Sequence, residues 1–83
     1  MKDKLVRIDV QATGQRIRML MEQQGLTVRD LQEQMDFQNP QAIYKWLAGK
    51  NMPGVDNLVN LSKILDVTMD DIVATDDNNE HSK

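Results

Sequence analysis

The chain has 83 residues, no cysteine and a formal net charge of −3. That length suits one small domain with a slender core, and the missing thiols exclude disulfides, thiolate zinc sites and cysteine nucleophiles. No apolar run reaches the length that crosses a bilayer, and the start MKDKLVRIDV lacks the apolar stretch of a secretory leader, so a cytoplasmic protein with no membrane partner is expected.

Residues 1–11 read as an extended arm. Val6, Ile8 and Val10 alternate with Leu5, Arg7 and Asp9, which is a strand pattern. A lone strand needs a partner edge. Two readings stand: a loose arm, or a dimerisation arm in which Val6, Ile8 and Val10 pair with a second protomer. The first helix is expected from about Thr13, as cap, to Gln24, with Ile17, Leu20 and Met21 inward and Gly25 as its stop. Thr27 followed by Asp30 has the form of a capping box and opens a short second helix with Leu31 and Met35 inward. Asn39-Pro40 is a start signal for a third helix from Pro40 to about Ala48, ended by Gly49. Lys50 to Gly54 is a loop. A fourth helix covers Val55 to Leu65, with Val55, Leu58, Leu61, Ile64 and Leu65 inward. Thr68 and Asp71 form a second capping-box pattern before a last short helix, where Ile72 and Val73 close the bundle. Residues 12–74 thus form an all-α, five-helix domain, and residues 75–83 an acidic, disordered tail.

The third helix carries the functional signal. Ile43, Trp46 and Leu47 share one face, and Gln41, Tyr44, Lys45 and Ala48 share the opposite one, which holds no acid. Gln bonds adenine, Lys bonds guanine or phosphate, and Tyr touches a thymine methyl or the backbone. A polar face on a short helix is more often a solvated face, so periodicity alone does not decide for a groove binder. The net charge argues the other way, but it is uneven. Residues 1–50 hold eight Lys/Arg and six Asp/Glu, while residues 51–83 hold two and seven. Binding to a polyanion depends on the local field.

The span from Thr13 to Val73 resembles the phage-repressor/Cro type of helix-turn-helix, also called XRE-like. The likeness is carried by Gly14-Gln15-Arg16-Ile17-Arg18, Gly25-Leu26-Thr27 with Leu31, Ala42 to Lys50, Pro53, and Leu58 to Ile72. Their order and intervals carry it, no single piece alone. The resemblance implies a five-helix fold that reads an operator in double-stranded DNA with its third helix, as a homodimer and a transcriptional repressor. It implies Gln41, Tyr44 and Lys45 as base readers. Thr27, Asn39, Lys50 and Asn51 would contact phosphate, with Arg29 and Arg16 added on charge. Three positions depart from the family. The turn before the third helix is about one residue longer, with Asp36 where glycine is common. Val28 replaces a phosphate-binding Gln. Leu47 and Met21 stand where a Glu–Arg pair is frequent, and this apolar pair is expected to meet in the core.

No His, Cys or carboxylate group has metal-ligand spacing, and no base stands ready to activate Ser62 or Ser82, so no enzyme, cofactor or small-molecule ligand is expected. His81, the single histidine, falls in the tail. The acidic balance and Val28 leave a second reading open: a protein-interaction module on the same fold, such as an antitoxin-like or anti-repressor partner.

Overall fold

Asp9 opens the first helix. In the computed structural model, which describes residues 5–76, α1 runs Val10–Gln24 and Asp9 caps it by accepting from the Ala12 amide at 3.0 Å. The expected cap, Thr13, is instead buried one turn inside the helix. Its hydroxyl donates to the Asp9 carbonyl at 2.8 Å and accepts from the Ala74 amide at 3.0 Å. Val10 is therefore helical, and the arm ends two residues earlier than its alternation suggests. Asp is a strong cap and sits where the strand pattern hid it.

The rest of the bundle follows the sequence closely. It comprises α2 (Val28–Gln34), α3 (Gln41–Leu47), α4 (Val55–Leu65) and α5 (Met69–Ile72). Gly25 ends α1 at φ 71°, and the Leu26 amide reaches back to the Met21 carbonyl at 2.8 Å, the double closure that a left-handed glycine permits. Both capping boxes form, Thr27 with Asp30 and Thr68 with Asp71. The core joins Ile17 and Met21 of α1, Leu31 of α2, Ile43, Trp46 and Leu47 of α3, Leu61 and Leu65 of α4, and Ile72 of α5. Val55 is a correction: at the first position of α4 it is 74% exposed, because the inward stripe begins one turn later. Ala74, which has no helical periodicity to mark it, is buried.

The partner edge that the arm needs comes from the same chain. Ile8 and Thr75 form an antiparallel bridge, and the Asp9 and Asp76 amides donate to the carbonyls of Ala74 and Arg7 at 2.8 and 3.0 Å. The arm is thus tied to its own chain at Ile8. The pairing also gives the first two residues of the acidic tail a fixed place. Residues 1–4 of the arm and 77–83 of the tail, with His81, lie outside the described residues.

Candidate nucleic-acid interface

α3 is held from both sides. Gly14 of α1 lies against the backbone of α3 so closely that a Cβ there would overlap the Trp46 carbonyl oxygen and stand 3.1 Å from that of Leu47. Only glycine allows this approach. On the other flank Phe37 meets Trp46 edge-on, with ring centroids 5.9 Å apart and planes at 66°. The connection from α2 turns through Asp36 at φ 60°, a conformation that Asp tolerates better than most residues. The Phe37 amide donates to the Gln32 carbonyl, and the Gln32 side chain donates back to the Phe37 carbonyl, at 3.0 and 3.3 Å. The turn is thus tied to α2, and α3 begins at Gln41, one residue later than expected. Pro40 is its cap residue without a side-chain bond, while the Asn39 Oδ1 accepts from the Gln41 amide at 3.1 Å.

Seated this way, α3 buries Ile43, Trp46 and Leu47 and exposes Gln41, Tyr44, Lys45 and Ala48, as the spacing predicts. Ala42 is exposed beside them. Two shallow cavities mark its ends. At the N-terminal end, Phe37, Gln38, Asn39 and Ala42 line a notch of about 200 Å³. At the C-terminal end, a cleft of about 180 Å³ lies between Arg18, Met21 and Glu22 of α1, Leu26, Thr27 and Val28 at the start of α2, and Leu47. Met21 and Leu47 share this cleft wall and the core, so apolar packing occupies the place of the frequent ion pair. Val28 packs there too, partly buried.

The expected phosphate contacts divide. Thr27 lines the same cleft as Leu47, the last residue of α3, and Lys50 and Asn51, which follow Leu47 in the loop, are exposed. Its amide donates to the Asp30 Oδ2 at 2.9 Å and its hydroxyl accepts from the Asp30 amide at 3.0 Å, which leaves only the hydroxyl hydrogen to offer. The Thr27 amide is also the main reason the Asp30 carboxyl titrates below its ordinary range. Arg29 projects into solvent with a loose contact to Glu33 at 3.9 Å. Arg16 is engaged within the chain. Its guanidinium Nη1 donates to the carbonyls of Asp70, Asp71 and Val73 at 3.4, 3.4 and 3.2 Å, so it ties α5 to α1. The carbonyls at a helix end attract a cation, and this long-range pairing has no signature in local sequence.

The profile of a helix-turn-helix family matches residues 17–72, more than half of the chain, from the second half of α1 to the end of α5. The chain belongs to the XRE-type helix-turn-helix family of DNA-binding regulators. Among solved structures, the restriction-modification controller protein C.AhdI from Aeromonas hydrophila is similar to this helix-turn-helix domain. The two are 22% identical with a TM-score of 0.70, over 77% of this chain and 96% of that one, a likeness of fold. No curated protein matches the sequence. No described helix is long and apolar enough to cross a membrane.

Two features of this candidate site are not legible in the sequence. One is the role of Gly14, quoted as a family residue but mechanically the seat of α3. The other is the notch of Phe37, Gln38, Asn39 and Ala42, since Ala42 reads as filler in a helical pattern.

Proposed function

We propose that this domain is a sequence-specific regulator, acting as a repressor, that lays α3 in the major groove of double-stranded operator DNA. The observation that carries the reading is the outer face of α3: Gln41, Tyr44 and Lys45 are exposed, no acid shares the face, and three buried side chains on the reverse hold it still. A reader held in place loses less conformational freedom when it docks. In this reading Gln41 bonds an adenine edge, Lys45 a guanine or phosphate, and Tyr44 a thymine methyl or the backbone. Lys50, Asn51 and Arg29 neutralise or bond phosphates, with the Thr27 hydroxyl a weaker donor. The domain binds as a homodimer on a two-fold operator, the arrangement by which helix-turn-helix proteins place two reading helices one DNA turn apart. Leu5, Val6 and Ile8, more than half exposed, supply apolar surface for the second protomer through their side chains.

Selection of bound duplexes from a random pool tests this directly. A single enriched motif is expected, with affinity falling by about 0.9 log units per log unit of salt for each phosphate neutralised. No enrichment at low salt would overturn it.

A further inference from the structure

The notch at the leading end of α3 is built from the two chemistries that a thymine edge presents. Phe37 and Ala42 give it apolar walls, and Gln38 and Asn39 give it amides. The orientation of Asn39 is fixed by its hydrogen bond: the Gln41 N–H must meet an acceptor, so Oδ1 faces it. The Asn39 Nδ2 therefore points away from that bond as a donor, and among the described residues it makes no hydrogen bond of its own. A free donor stands beside an apolar recess, one residue from Gln41. In the major groove only thymine offers the complement, an O4 acceptor next to a C5-methyl group. Cytosine offers an N4 donor and no methyl, which would set donor against donor.

We infer that this notch is a thymine-reading subsite, with the C5-methyl between Phe37 and Ala42 and O4 accepting from the Asn39 Nδ2. It takes Asn39 away from the phosphate role and makes it a specificity-determining residue. The inference rests on α3 reading DNA. It adds to that reading a base identity at the position next to the one Gln41 contacts.

The test uses the full chain and the duplex enriched from a random pool. Each thymidine in turn is replaced by deoxyuridine, which keeps O4 and loses only the methyl. One position per half-site is expected to respond, with affinity falling about fourfold for one substitution and about fifteenfold for both, the size of one methyl group leaving an apolar contact. At that position a 5-methylcytosine·guanine pair, which keeps the methyl and swaps the acceptor for a donor, is expected to bind worse than deoxyuridine. Ala42→Ser, checked for unchanged helicity by circular dichroism, is expected to shrink the deoxyuridine effect at that position to less than twofold. Enrichment of a motif in which every deoxyuridine substitution is silent would overturn the subsite and leave DNA reading intact. A deoxyuridine effect that Ala42→Ser and Asn39→Ala both leave unchanged would place the methyl elsewhere and overturn it too. No enriched motif at all would overturn DNA reading and the subsite together.

Discussion

Gly14→Ala should be a strongly damaging single-methyl change in this domain. In an exposed helix interior the same replacement stabilises by about 1 kcal/mol, because alanine loses less backbone freedom than glycine. Here the added carbon meets the carbonyl oxygens of Trp46 and Leu47, which are backbone atoms with no rotamer to give way. Relief requires α1 and α3 to separate, and overpacking of that kind costs about 1–3 kcal/mol. With contact to backbone the upper end applies, so the net loss is about 2 kcal/mol after the helix gain. At about 0.05–0.15 kcal/mol per residue the whole domain holds roughly 4–12 kcal/mol. The melting temperature should therefore fall by about 8–16 °C, read by circular dichroism with a urea titration beside it. Gly25 supplies the contrast. Nothing lies near a Cβ there, but φ is 71°, so Gly25→Ala should cost about 1–2 kcal/mol from backbone conformation alone. Gly25→Asn should recover part of that loss, since Asn accepts the left-handed region. No larger residue should recover anything at position 14. A Gly14→Ala protein as stable as the parent would refute the close seating of α3 on α1.

Arg16→Ala should lower stability by about 1 kcal/mol, since its three carbonyl contacts are long and partly exposed, and should leave the salt slope of DNA binding unchanged. Lys50→Ala should do the reverse, reducing that slope by about 1 with no change in melting temperature. Gln41→Ala should relax base preference at one position by about 1–3 kcal/mol, measured by competition between operator variants, and Thr27→Ala should weaken all sequences alike. Asp30 and Asp71 are both held below the usual 3.8, chiefly by the backbone amides of Thr27 and Thr68. A depressed folded value means stability that is present above 3.8 and lost as pH falls through the folded value. Acid melts should therefore decline below that pH, and the Asp30→Asn, Asp71→Asn double variant should decline less steeply.

Much of the fold was legible because it rests on local chemistry. Thr27, Thr68 and Gly25 act within a few residues of themselves, and the inward stripes of α1, α3 and α4 repeat at helical spacing. What could not be read involves partners far along the chain. Arg16 answers to Asp70, Asp71 and Val73, Thr13 to Ala74, Ile8 to Thr75, and Gly14 to Trp46. At Val10 two local rules competed: the alternation is genuine through Ile8, which bridges to Thr75, but Asp9 as a cap draws Val10 into α1. At the interface the outer face of α3 was legible, since burial follows periodicity. The notch was not, because it depends on how an αL turn at Asp36 returns Phe37 toward Ala42.

The negative charge, which counts against a polyanion partner, has a structural account. Asp9 caps α1, and Asp30 and Asp71 close the two capping boxes. Asp56 lies in the first turn of α4, where the helix dipole favours an anion. Asp36 and Asp66 hold the only two left-handed non-glycine positions among the described residues, at φ 60° and 59°. Asp76 accepts from the Arg7 amide beside the arm. The acid is thus drawn to helix starts and tight turns, which a bundle of five short helices has in excess. None of it stands on the outer face of α3. A small helical domain built from many ends accumulates aspartate for backbone reasons, and its formal charge is then a poor guide to the field over the outer face of α3.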